Sequence, residues 1–161
     1  MPQLPARRYS KQIKLREETI TWMGRGIAAR KKIQAHVEQR QSILDAACKI
    51  TPSFSAEPKT AGCSGDKIGN AVANLDKLGA MLQADIVELQ NVLCEINYVI
   101  NKIPDKRMQI ILERKWCLDK PESYLDAIAT KIGYSYKQTQ RLYIKGMLVV
   151  QRILDQKKKM S

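Results

Sequence analysis

The sequence predicts an all-α fold: a long antiparallel helical hairpin, coiled-coil-like, followed by a C-terminal three-helix domain of helix-turn-helix type. Three observations carry this. Apolar residues recur at helical spacing along the 161 residues, and no stretch shows sustained strand alternation. All six prolines (Pro2, Pro5, Pro52, Pro58, Pro104, Pro121) fall at the N-terminus or between periodic segments, where helices tolerate them. Residues 128–141 read Ile-Ala-Thr-Lys-Ile-Gly-Tyr-Ser-Tyr-Lys-Gln-Thr-Gln-Arg, which is a helix, a glycine turn and a second helix.

Taken in order, residues 1–50 form a basic N-terminal region, helical from about residue 9. Ile13, Ile20, Met23, Ile27, Ile33, Val37, Leu44 and Ala47 give it an imperfect apolar stripe, and Gly24-Arg25-Gly26 is expected to bend or break it. Residues 51–65 are a loop by their proline, glycine and serine content. Residues 62–67, Gly-Cys-Ser-Gly-Asp-Lys, have the look of a phosphate loop. They fail its pattern, because Asp66 separates Gly65 from Lys67 and no strand precedes them. Asp66 is expected to cap the next helix.

That helix, residues 66–103, has the strongest periodicity in the chain. Ile68, Val72, Leu75, Gly79, Leu82, Ile86, Leu89, Leu93, Ile96, Ile100 and Ile103 alternate by four and three, a heptad seam about 57 Å long at a rise of ~1.5 Å per residue. An apolar seam of that length must be covered. The N-terminal region folding back as a hairpin is the preferred cover, with a homodimer left open, and Gly79 is expected to mark a close crossing.

Pro104 separates the arm from the C-terminal domain, residues 104–161. Met108, Ile111, Leu112 and Trp116 give the first helix of this domain its core face. Pro121 and Ser123 mark the start of the second, which carries Leu125, Ile128, Ala129 and Ile132 inward. The third runs from Ser135 to about Gln156. Ala129 is small enough for two helices to approach. Gly133 supplies the positive φ of the turn, and Ser135 with Gln138 three residues on makes a capping box. On the last helix Thr139, Leu142, Gly146, Val149, Val150 and Ile153 share one side and should be core. Ile144 and Leu148 lie off that side. Lys137, Gln140 and Arg141 fall opposite the core, where lysine can reach phosphate or guanine, glutamine adenine, and arginine guanine. Tyr136 stands beside them, for a backbone contact or for packing.

Charge supports a polyanionic partner. The chain carries 28 Lys and Arg against 16 Asp and Glu, formally +12. Residues 1–50 hold 11 against 4, net +7; residues 51–104 hold 4 against 6, net −2; residues 105–161 hold 13 against 6, net +7. The run Lys157-Lys158-Lys159 reads as a solvated end or a nonspecific phosphate contact.

Other classes find little support. No stretch approaches the ~18 unbroken apolar residues of a membrane span, and no apolar signal core follows Met1, so a cytoplasmic location is expected. Cys48, Cys63, Cys94 and Cys117 are scattered, with His36 as the one imidazole, and no metal site is expected. No cofactor, small-molecule substrate or catalytic constellation is evident. His36 has no nucleophile near it in sequence, and Asp45, Asp76, Asp85 and Glu88 read as solvated helix charges.

The ordered set Ser-Gly-Asp-Lys-Ile-Gly, Ile-Pro-Asp, Ile-Leu-Glu-Arg-Lys-Trp and Ile-Ala-Thr-Lys-Ile-Gly-Tyr-Ser resembles a family of small phage and prophage proteins, the ArpU/RinA-type late transcription regulators. Their C-terminal part is similar to region 4 of sigma factors. The resemblance covers about residues 64–154 well and the first 50 loosely. It implies a regulator that binds promoter DNA through the last helix, with Ser135, Lys137, Gln138, Gln140 and Arg141 at the matching positions and Lys145 as a flanking phosphate contact. Tyr124-Leu125-Asp126-Ala127 stands where the family pattern has a Ser-Trp-Glu-Glu type start.

The leading expectation is therefore a sequence-specific regulator on double-stranded DNA. Tyr136 joins the matching residues, and Arg114, Lys115, Lys131 and Arg152 are candidate phosphate contacts. Two alternatives remain. A small-terminase-like packaging factor would combine similar parts, though usually with the DNA-binding domain first. A coiled-coil protein acting on RNA polymerase would touch DNA only secondarily.

Overall fold

The computed structural model describes residues 14–49, 64–118 and 124–161. These form helices α1 (Glu17–Cys48), α2 (Ser64–Asn101), α3 (Lys106–Trp116), α4 (Leu125–Ile132) and α5 (Tyr136–Met160), with no strand among the described residues. The protein is all-α. Of the expected loop 51–65, residues 51–63 lie outside the described residues, as do the stripe residue Ile13, Cys63 and the start signals Pro121 and Ser123, while Ser64 and Gly65 are already helical. Among those described, no helix is long and apolar enough to cross a membrane.

The chain divides into two compact units, Arg25–Glu95 and a second made of Met1–Gly24 with Ile96–Ser161. The second unit thus takes in the last two turns of α2, which the sequence reading had grouped with the arm before Pro104.

In the unit Arg25–Glu95, side-chain pairs link α1 to α2. Arg25 Nη2 meets Glu95 Oε2 at 2.7 Å, Lys32 Nζ meets Asp85 Oδ1 at 2.7 Å and Glu88 Oε2 at 3.3 Å, and His36 Nδ1 lies 2.6 Å from Asp85 Oδ2. Partner numbers fall as α1 numbers rise, so these stretches run antiparallel.

The pairing corrects the expected seam. Leu75, Leu82, Leu89, Leu93, Ile96, Ile100 and Ile103 do face inward, half-buried or buried. Between them, however, the inner positions are Leu78 and Asp85, each 6 % exposed, rather than Gly79 and Ile86. Ile68, Val72 and Ile86 are exposed, and a Cβ on Gly79 would meet nothing within 4 Å, so no close crossing occurs there. The expected solvated Asp85 is instead inside, because Lys32 and His36 satisfy both its oxygens; an unpaired charge would not tolerate that position. On α1 the same rotation puts Thr19 and His36 inward and leaves Ile20 and Val37 exposed. His36, expected to stand alone, is therefore part of this cluster.

Two boundary expectations also change. Asp66 lies inside α2, not at its cap, since the helix is already formed at Ser64. Gly24-Arg25-Gly26 does not break α1, which is helical throughout Glu17–Cys48. A glycine costs a helix roughly 1 kcal/mol relative to alanine, and here both are at packed positions: Gly26 is buried, and a Cβ on Gly24 would sit 3.8 Å from Trp116.

The second unit has the larger core. Met23, Ile96, Ile100, Ile103, Ile111, Leu112, Ile128, Met147 and Val150 are at most 1 % exposed, and Trp116 is buried with them. Two buried glutamines close helix ends in it. Gln109 donates from Nε2 to the carbonyl of Ile103 at 2.6 Å, beyond the end of α2. Gln151 accepts at Oε1 from the N–H of Arg16 at 2.8 Å, a backbone donor that the start of a helix leaves unpaired, and from the Thr19 hydroxyl at 3.3 Å. Helix α1 therefore starts at Glu17 rather than near residue 9, since residues 14–16 are not helical. Helices α3 and α5 approach closely at Gly146, where a Cβ would lie 3.2 Å from Leu112 Cδ1 and 3.4 Å from Met108 Cβ.

Candidate nucleic-acid interface

Helices α4 and α5 are joined by a turn whose chemistry is local. Gly133 ends α4 at φ 73°, ψ 28°, the left-handed region that an L side chain rarely adopts. The Tyr134 N–H bonds back to the Ala129 carbonyl at 3.0 Å, a closure typical of helices that end this way. Ser135 then opens α5 in an extended conformation. Its Oγ accepts from the Gln138 N–H at 3.3 Å, and Gln138 Oε1 accepts from the Ser135 N–H at 3.3 Å. The expected capping box is formed. Nothing lies within 4 Å of a Cβ on Gly133, so the backbone angle alone demands glycine there. Gly133→Ala is expected to cost roughly 1–2 kcal/mol, the left-handed penalty, read as a lower thermal midpoint without loss of helix content.

The two helices meet through small inner residues. Ala129 is 4 % exposed and Thr139 fully buried, and Gly146, Met147, Val150 and Gln151 continue the inner side of α5. Met147 and Gln151 were not among the expected core positions. Leu142, Val149 and Ile153, which were, are half-buried.

The outer side of α5 carries the predicted contact residues. Tyr136, Lys137, Gln140, Arg141, Lys145 and Arg152 are all exposed. Lys137, Gln140 and Ile144 follow one line at spacings of three and four, and Ile144 is 43 % exposed at the end of it. Gln138, Arg141 and Lys145 follow the adjacent line, about 100° around the helix. Ser135 and Gln138 are engaged with each other in the cap. Of the other candidates, Lys131 is exposed on α4, and Arg114 and Lys115 are half-buried on α3. Lys115 Nζ lies 5.9 Å from the Trp116 ring centroid, and burial holds its ammonium below the usual lysine pKa.

Sequence reasoning missed Arg107. It sits on the first turn of α3, and its guanidinium forks onto Asp105, Nε to Oδ1 at 3.1 Å and Nη2 to Oδ2 at 2.9 Å. Asp105 caps α3 by accepting from the Arg107 N–H at 2.9 Å. This fork, helped by the backbone bond, holds the Asp105 carboxyl below the usual carboxylate range. Arg107 lines a notch of about 240 Å³ with Tyr134, Gln138, Arg141, Leu142 and Lys145.

No protein-family model matches the chain, and no curated protein or solved structure matches it either. The chemistry of the site must therefore be read from its own residues. A larger cleft, about 370 Å³, lies between the start of α1 and the end of α5. Four of its charges are paired, Arg16 with Asp155 and Lys158 with Glu18, and with Lys157 beside them three cations face two carboxylates, so it offers an anion less than the notch does. Among the described residues no group of three His, Cys, Asp or Glu is placed to hold a metal ion.

Proposed function

We propose that this protein binds double-stranded DNA as a transcription regulator of phage or prophage type. In this reading α4, the Gly133 turn and α5 act as a helix-turn-helix with the N-terminal half of α5 in the major groove, and α1 with α2 forms a coiled-coil-like arm. One observation carries it: Lys137, Gln140 and Arg141 stand exposed on a single side of a helix that begins, fully capped, straight after a left-handed glycine turn. Those side chains are the types that pair with base edges, and a recognition helix offers its first turns to the bases. Ile144 on the same line suits contact with a thymine methyl. The +7 balance of residues 105–161 favours a polyanion, and the resemblance to sigma region 4-like regulators points to promoter DNA.

The test is retention of fragmented genomic DNA by the wild-type chain and by Lys137→Ala/Gln140→Ala/Arg141→Ala, at two salt concentrations, with bound fragments sequenced. Wild type is expected to enrich a small set of sites. Each lost base contact should cost roughly 1–3 kcal/mol at such a site, so the triple variant should lose the enrichment. Equal, salt-sensitive retention of all fragments by both proteins would overturn the reading.

A further inference from the structure

The notch beside α5 brings together three cations that the sequence holds on two separate helices. Arg107 comes from α3, while Arg141 and Lys145 come from successive turns of α5, and Tyr134 and Gln138 complete the lining. From these positions we infer that the notch is a clamp for one backbone phosphate of the bound duplex, with Arg107, Arg141 and Lys145 as its ligands. The inference rests on DNA as the partner and changes the role of Arg141, from a base reader to a backbone contact.

Three arguments support the assignment. First, the fork to Asp105 holds the Arg107 guanidinium at two of its nitrogens, so this cation is oriented before any ligand arrives. A preorganised planar guanidinium is the group best matched to phosphate oxygens. Secondly, one carboxylate beside three cations leaves the cluster net positive, so it favours an anion; the notch itself is lined by no acidic residue. Thirdly, the Gln138, Arg141 and Lys145 line borders the Lys137, Gln140 and Ile144 line along the same helix. A helix lying in the major groove points its central line at base edges and its flanks at the sugar–phosphate walls. With the Lys137, Gln140 and Ile144 line set against the bases, the notch falls on the side toward one wall, and Arg152, seven residues beyond Lys145, continues it.

The division of labour can be measured with the full chain. Binding constants would be taken across a salt series for a preferred duplex and several unrelated ones, using wild type, Arg107→Gln, Arg141→Gln, Lys145→Gln and Gln140→Ala. Each notch variant should reduce the slope of log K against log salt by up to about 0.9, the whole counterion stoichiometry of the one phosphate the notch holds on B-form DNA. It should weaken every duplex by a similar factor and leave the order of preference intact. Gln140→Ala should do the reverse, keeping the slope and blurring the preference. Lys145 is exposed and makes no cap, so its variant guards against a folding defect at the Asp105–Arg107 turn. Unchanged slopes in Arg107→Gln and Lys145→Gln, with wild type still discriminating among duplexes, would overturn the clamp and leave the DNA-binding reading standing. No binding of any duplex by wild type would overturn both.

Discussion

Gly146→Val is expected to destabilise the unit built from α3, α4 and α5 by roughly 1–3 kcal/mol, the usual range for forcing methyl groups into a packed core. A single Cβ at this position already lies 3.2 Å from Leu112 Cδ1 and 3.4 Å from Met108 Cβ. Leu112 is fully buried, so its side chain has little room to yield. Alanine adds only that one Cβ, against Leu112 Cδ1 and Met108 Cβ. Its gain of about 1 kcal/mol in helix propensity over glycine should largely offset that contact. Valine adds two methyl groups where α3 and α5 are closest, and valine is stiff at χ1 in a helix. The expected order of thermal midpoints is therefore wild type close to Gly146→Ala, with Gly146→Val clearly lower. The same substitution should weaken DNA binding, because Arg107 on α3 and Arg141 and Lys145 on α5 would no longer hold their spacing. A Gly146→Val protein that melts with wild type would show that the two helices are not packed at this point.

What could be read in the sequence was whatever depends on neighbours in the chain. The left-handed turn at Gly133, the cap at Ser135 with Gln138 and the exposed Lys137, Gln140 and Arg141 all follow from a few adjacent residues and helical spacing. Arg107 was not legible as part of the site, because it lies 34 residues before Arg141 and reaches it only through the packing of α3 on α5. Nor was the helical run through Gly24 and Gly26. Local propensity argues for a break, whereas in the structure Gly26 is buried and Gly24 packs beside Trp116 within a continuous helix. The heptad seam was legible by half. Spacings of four-three and three-four share every second position, which is why Leu75, Leu82 and Leu89 were placed correctly. The two alternatives differ in whether Ile86 or Asp85 turns inward, and hydrophobicity alone favours Ile86. The deciding residues, Lys32 and His36, lie about 50 positions away on α1.

Because Asp85 took that inner place, its removal should be the most damaging change available in the unit Arg25–Glu95. Asp85 is 6 % exposed and bonded to Lys32 at 2.7 Å and His36 at 2.6 Å. Asp85→Ala would leave the half-buried His36 imidazole without its acceptor, reduce Lys32 to its longer contact with Glu88 and open a gap at the seam, and removing one side of a buried pair is what costs most. The expected result is a fall in Tm larger than that from cutting an exposed pair such as Lys158 with Glu18. Asp85→Leu combined with His36→Leu should recover much of it, since an apolar pair continues the Leu78–Leu82–Leu89 row and Lys32, half exposed, can turn to solvent. The pH dependence has a definite sign. The Lys32 hydrogen bond, with His36 adding to it, holds the Asp85 carboxyl below its ordinary value despite its desolvation. A carboxyl depressed in the folded state contributes stability that is present above its unfolded pKa, about 3.9, and is lost as pH falls through the folded value. Wild type should therefore lose stability on acidification below about pH 4, and the double leucine variant should lose less. Circular dichroism melts of the full chains across that range would decide it. If Asp85→Ala melts with wild type, the carboxylate is a solvated surface charge, and the inner face of α2 belongs to Ile86 after all.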